Sequence, residues 1–193
     1  IKKNLRKKKI IFSAISTHKG EELFCAKVHT NLKKKYKNII TIIIPRHVNR
    51  ANEIKDELNS NNLKVHLHTS NKPINIDTDI YIVDTFGETK KFHKIACSVF
   101  LGGSIIKRGG QNPLEAARCG AQILHGPYVD NFKDVYKLLN SLKASKKINS
   151  GDKLASFIRF KKTTNIGNKI KFIGEKILKK TIKELNIIIS NET

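Results

Sequence analysis

The residues best suited to chemistry lie between Val99 and Pro127, in the stretch VFLGGSIIKRGGQNPLEAARCGAQILHGP. It holds six of the eleven glycines and two of the four prolines, so its backbone is made for turns and close approach. Val99-Phe100-Leu101 is apolar and stops at Gly102-Gly103, as a buried strand does on meeting a loop. Gly109-Gly110 then admits positive φ. Asn112-Pro113-Leu114-Glu115 predicts a helix start, with Asn112 as N-cap, Pro113 first in the helix and Glu115 reaching back. Gly120 ends that helix, and Ala121 to Leu124 begins another strand. A glycine loop between a strand end and a helix N-terminus offers free N–H groups to a phosphate or carboxylate. The spacing is neither a P-loop nor G-x-G-x-x-G, so an ordinary βα turn stands beside anion binding as a reading.

Three further clusters follow predicted strands. Pro45-Arg46-His47-x-x-Arg50 comes after Ile39 to Ile44, and two arginines there can fork onto phosphate or a sugar carboxylate. They can equally be surface charges on the next helix, Val48 to Leu58. Ser16-Thr17-His18-Lys19-Gly20-Glu21-Glu22 follows the strand Ile10 to Ile15, and Ser16 or Thr17 is placed to cap the helix beyond. Asp84-Thr85-Phe86-Gly87-Glu88 follows Ile80 to Val83 and opens another helix. His66 and His68 share one strand face with no third ligand near them, so no metal is expected there. Asp77-Thr78-Asp79 precedes a strand and reads as a turn.

The elements that must position these groups alternate, strand with helix, from residue 10 to 143. That pattern predicts an α/β fold with a parallel, Rossmann-like sheet and flanking helices, in which ligands meet the loops after strands. Phe132 to Leu142 and Lys153 to Phe160 read as later helices, and Ile166 to Ile189 as a long, lysine-rich one. The chain divides into a basic linker at 1–9, a Rossmann-like α/β domain at 10–160 and a basic terminal helix at 161–193. A net charge of +22, from 38 Lys+Arg against 16 Asp+Glu, points to anionic partners. Abundant Lys, Ile and Asn also suit an AT-rich genome and an unselected solvated surface. Three cysteines without a C-x-x-C pair suit reduced thiols. No apolar run approaches a membrane span. The absence of methionine leads us to expect a piece of a longer protein.

Taken in order, the four blocks STHKGEE, PRHxxR, DTFGE and GGS…RGGQNPLEAARCG…GP, followed by Asn131-Phe132, resemble the Kdo transferases (3-deoxy-D-manno-octulosonic acid transferases). The resemblance implies the C-terminal, donor-binding half of a two-domain GT-B glycosyltransferase. Its nucleotide contacts would be Pro45, Arg46, Phe86, Gly87, Glu88, Asn112, Pro113, Leu114 and Glu115. Its donor-sugar contacts would be Ser16, Thr17, Lys19, Gly20, Glu21, Ser104, Gly109 and Gly110, with Lys19 and Glu21 at the mouth of the site. Phe86 stands where the family has Met, as an apolar platform, though it can also be a core residue under its loop. The implied reaction moves Kdo from CMP-Kdo to the lipid A precursor (lipid IVA), with inversion and without metal or cofactor. The catalytic base would belong to the N-terminal domain, leaving no catalytic residue here. The other implied partners are that domain and an anionic membrane surface, at the cytoplasmic face of the bacterial inner membrane. Asn49, Thr89, Gln111 and Tyr128 depart from the family pattern, and Gln111 cannot carry the charge of the usual His. Two alternatives compete: a GT-B half that takes a UDP-sugar, and a basic nucleic-acid-binding module. The second is disfavoured, because aromatics are 7% and RNP-type and zinc-finger signatures are missing.

Overall fold

A computed structural model describes residues 10–162 and 164–191; the expected linker at 1–9 lies outside the described residues. Seven strands form one parallel sheet: β1 (Ile10–Thr17), β2 (Ile39–Pro45), β3 (Val65–Leu67), β4 (Ile80–Ile82), β5 (Ser98–Leu101), β6 (Gln122–His125) and β7 (Ser145–Lys147). Their order across the sheet is β3-β4-β2-β1-β5-β6-β7, and each neighbouring pair is parallel. The chain leaves β1 toward β2 and later returns to its other side with β5. The crevice beyond the carboxyl ends of β1 and β5 is therefore the topological switch point, where such sheets bind ligands.

The side-chain period of two sorts β2 between two cores. Ile40, Ile42 and Ile44 face one buried cluster, and Ile39 and Ile43 face the other. The second cluster is completed by α1 (Glu21–Lys35), α2 (Ala51–Ser60) and α6 (Gly151–Phe157), through Cys25, Val28, Ile54, Leu58 and Leu154. The first is covered by α3 (Thr89–Ile95), α4 (Leu114–Arg118), α5 (Lys133–Ser141) and the root of α7 (Thr164–Asn191), through Phe92, Ala116, Ala117, Leu139 and Ile170. The result is a three-layer α/β/α domain.

Several expected boundaries move for local reasons. Neither Ser16 nor Thr17 caps α1: the strand runs on through Thr17, and Gly20 takes the N-cap position at φ +91°. Ser16 instead sits at φ +56° and bulges β1, shifting its register on β2 between Ile15 and Thr17. The expected helix at Val48 opens as a 3₁₀ turn, Val48–Arg50, before α2. Pro113, not Asn112, takes the N-cap position of α4; Asn112 Oδ1 accepts the Leu114 N–H at 3.0 Å from one residue further out, and Glu115 does not reach back to it. The Glu115 carboxylate lies 3.9 Å from His93 Nε2 on α3 instead. Ser150 starts α6 ahead of the expected Lys153, its Oγ accepting the Lys153 N–H at 3.2 Å. Strand β7 escapes the sequence reading, because Ser-Lys-Lys at a sheet edge carries no apolar signal.

Two buried histidines make stability sensitive to mild acid. Burial pushes the imidazoles of His93 and His125 below their ordinary value of 6.5. The unfolded chain therefore takes up protons that the fold refuses, and stability falls as pH drops below about 6.5. We expect a lower urea midpoint at pH 5.5 than at 7.5, and a flatter profile in a His93→Asn/His125→Asn variant. Equal midpoints in the parent chain would contradict this assignment.

Candidate functional site

Because the sheet is parallel, the loops after β1, β2, β4 and β5 emerge at one edge, and the first three blocks and the glycine loop follow these strands. The Arg46 N–H donates to Thr17 O at 2.9 Å, joining the β2 loop to the end of β1. The rings of His18 and His47 meet edge to face, 5.9 Å apart. Gly103 sits among His18, Arg108 and Gln111, each with an atom 3.4 Å from where its Cβ would be. Burial lowers the His18 pKa, and the charges of His47, Arg108 and Arg46 add to that effect against the pull of Glu21. His18 Nε2 is shielded from water and has no hydrogen-bond partner among the described residues. Arg46 and Arg108 thus bring positive charge to His18 at this sheet edge, which favours an anion there.

The glycine loop itself is held from beneath. Glu21 is 1% exposed. Its carboxylate accepts N–H groups from Gly103 at 2.7 Å and from Ser104 and Ile105 at 3.1 Å each. It also accepts the His18 N–H at 3.0 Å. These are the donors that a strand–glycine-loop sequence suggests for a ligand, and the protein's own carboxylate occupies them. Glu21 is therefore not at the mouth of the site but under the loop. Ser104 is committed too: its Oγ donates to Leu101 O at 2.5 Å and accepts the Gly126 N–H at 2.9 Å. Further along, Gly109 and Gly110 both have positive φ, near +78° and +75°. Gly110 N–H donates to Gly103 O at 2.8 Å, and Asn131 N–H to Gly109 O at 3.1 Å, closing the loop on itself and on the residues after β6.

Of the two arginines after β2, only Arg46 is available. Arg50 reaches the buried Glu22 at 3.0 Å and Glu53 at 3.6 Å. Burial raises the Glu22 pKa while Arg50 pulls it down. Arg46 is exposed and pairs with no carboxylate among the described residues, and Pro45 is buried beneath it. Lys19 is exposed and lies 3.6 Å from Glu53. Thr17 is buried, and Ser16 presses its carbonyl against Gly102.

The remaining predicted contacts form a second group. Phe86 is 78% exposed, so it is not a core residue under its loop. Gly87 has φ +80° in the same turn. The Lys91 ammonium, 2.8 Å from Glu88, holds that carboxyl below its usual range. Asn112 and Glu115 are exposed and Pro113 is buried, whereas Leu114 turns toward a groove beside α7. No hydrogen bond or ion pair among the described residues joins Phe86–Glu88 to Arg46 or to the glycine loop; the shared sheet edge relates them. His47 and Arg108 were missed as candidates. Arg108 had a visible signal, a guanidinium directly before Gly109-Gly110. His47 had only its place beside Arg46.

No protein-family model matches the chain. Among curated proteins, it is 34% identical over 179 residues to a 3-deoxy-D-manno-octulosonic acid transferase of Rickettsia bellii, covering 93% of this chain and 42% of that protein. It is 31% identical over 140 residues to the transferase of the same name in Haemophilus influenzae, covering 72% of this chain and 33% of that protein. The chain thus spans less than half the length of these relatives, which as Kdo transferases are glycosyltransferases. The C-terminal CMP-Kdo binding domain of WaaA from Acinetobacter baumannii shares the fold, with a TM-score of 0.73 at 23% identity over 79% of each chain. The chain belongs to the Kdo transferase family, and its fold is the one seen in that C-terminal domain.

Proposed function

We propose that this chain is the donor-binding part of a Kdo transferase and holds CMP-Kdo at the switch-point edge. The observation that carries the reading is the positive charge that the exposed Arg46 and Arg108 bring to His18 beside Gly103, where the neighbouring buried carboxylates Glu21 and Glu22 are already bonded. CMP-Kdo presents one phosphodiester and one sugar carboxylate, and two forked guanidiniums suit two such anions. The single phosphate needs no diphosphate–metal clamp. Pro45, Phe86, Gly87 and Glu88 would flank the nucleotide, and Asn112 to Glu115 the ribose side. Lys19, Gly20, Gly109 and Gly110 would border the sugar, with Glu21 and Ser104 fixing the loop beneath it. In the full-length protein the acceptor would be the lipid A precursor, lipid IVA, and the transfer inverting and metal-independent in a GT-B cleft. A carboxylate of the N-terminal part would serve as general base, at the cytoplasmic face of the inner membrane.

Calorimetric titration of CMP tests the site. Arg46→Ala and Glu115→Ala should each weaken binding by roughly 1.5–3 kcal/mol, the range for a charged hydrogen bond. That is about 10- to 150-fold. Both side chains are exposed, so the fold should persist. Unchanged affinity in both variants would reject the site, and tighter binding of UDP than of CMP would favour a UDP-sugar donor.

A further inference from the structure

Glu21 holds only the first half of the glycine loop, Gly103 to Ile105. The second half carries Arg108 and leads into Asn112, and it is tied to the residues that follow β6. Three of its carbonyls make the tie. Arg108 O accepts from Asn131 Nδ2 at 3.3 Å, Gly109 O from the Asn131 N–H at 3.1 Å, and Gln111 O from the Tyr136 hydroxyl at 3.0 Å. Packing follows the same line. A Cβ at Gly109 would lie 2.4 to 2.7 Å from the Asn131 side-chain amide. One at Gly110 would lie 3.1 Å from Val129 and 3.2 Å from Tyr128 O. Only because both positions lack a Cβ can the loop seat this closely.

Tyr136 is the firmest of these anchors. It is 4% exposed on α5, and its ring packs against that of His125 with centroids 4.4 Å apart. Burial pushes its hydroxyl above the ordinary tyrosine value, so the proton stays on and the group donates to the carbonyl. Asn131 is exposed, and its side-chain bond is the longest of the three. On the loop side every bonded atom is main chain, so the anchors fix the path of the backbone and leave the Arg108 side chain out of the bonding. Arg108 is exposed and forms no ion pair among the described residues, and its charge is felt at His18. Where its guanidinium can reach therefore depends on the main chain beneath it. We propose that Tyr136, with Asn131, is a positioning residue for the donor's anionic group, holding residues 108–111 so that Arg108 stays beside His18 at the ligand edge. This role rests on the donor-binding reading above. A loop freed of an anchor spends part of its time elsewhere, and apparent affinity falls with the fraction that stays competent.

Calorimetric titration of CMP into single and double variants tests it, under conditions where urea unfolding shows each protein fully folded. Tyr136→Phe removes the hydroxyl from a ring that stays packed, and should weaken CMP binding roughly three- to tenfold. Asn131→Ala should weaken it by a smaller factor. In an Arg108→Ala background, Tyr136→Phe should change affinity by less than about twofold, because the group it positions is gone. A general loosening of the fold would instead add in full to the Arg108 loss. Ile123→Val is the stability control. It trims a fully buried side chain of β6, should lower the urea midpoint much as Tyr136→Phe does, and should bind CMP like the parent. Parent-like affinity in both Tyr136→Phe and Asn131→Ala would overturn the proposal while leaving the donor site standing. So would a Tyr136→Phe loss that persists undiminished without Arg108. No CMP binding by the parent chain, or an Arg108→Ala variant as tight as the parent, would overturn the donor-site reading and this role with it.

Discussion

Replacing Glu21 with alanine should cost about 3 kcal/mol or more, roughly 1 kcal/mol for each of three buried N–H groups left without an acceptor. Those donors are Gly103, Ser104 and Ile105, bonded at 2.7 to 3.1 Å by a carboxylate that is 1% exposed. Water cannot replace the carboxylate without opening the loop, and domains of this kind hold only about 5–15 kcal/mol in total. Glu21→Gln should recover part of the loss, since its one oxygen still accepts while its NH₂ faces donors. Urea unfolding of the three proteins gives the comparison. The chains that remain folded should also bind CMP more weakly, because the glycine loop has lost its anchor. A loss under about 1 kcal/mol in Glu21→Ala would mean that the loop holds its shape without the carboxylate.

Gly102→Ala should be as damaging, by steric exclusion and not by lost polarity. A Cβ at Gly102 would lie 2.2 Å from Ser16 O and 2.6 Å from Thr17 Cα. Both atoms are backbone, fixed by the β1 bulge, and Gly102 N–H is itself bonded to Ile15 O at 2.9 Å. The strands must part or the bulge must flatten, and overpacking of this severity costs about 3 kcal/mol. In a domain of this size that lowers the thermal midpoint by roughly 6–12 °C. Gly87→Ala is the matched control. It has positive φ but nothing within 4 Å of its Cβ, so only the left-handed backbone cost of about 1–2 kcal/mol applies. Equal losses in the two variants would show that backbone conformation, and not the Ser16–Gly102 contact, sets the effect.

Period and composition made most of the sheet legible. The β-branched run Ile39 to Ile44 could only be a strand covered on both faces, and each expected strand was found within two residues of its place. Short polar edges such as β7 carry no such periodicity. Loop chemistry was legible in kind but not in direction. The sequence shows that Glu21, Arg50 and Ser104 stand beside a strand end, yet whether each side chain turns outward or inward depends on partners about 80, 28 and 22 residues away. A carboxylate beside a glycine loop looks the same whether it awaits a sugar or takes the loop's own N–H groups. The bulge at Ser16 was equally hidden, because serine at positive φ leaves no mark in sequence.

The placement of β1 between β2 and β5 also governs how the molecule comes into being. β1 can pair with β2 once synthesis has passed Pro45, but its other edge waits for Val99 to Leu101. Glu21 waits with it, since its partners are 82 to 84 residues downstream. At roughly 5–20 residues per second, a growing chain spends several seconds with its central strand open on one side and a carboxylate not yet answered. Contacts of such long range make folding slow, and an open central edge is where chains pair wrongly. Docking of β5 and the glycine loop behind it is therefore the step that closes the second edge of β1, and slow synthesis between Pro45 and Leu101 lengthens the interval in which aggregation competes.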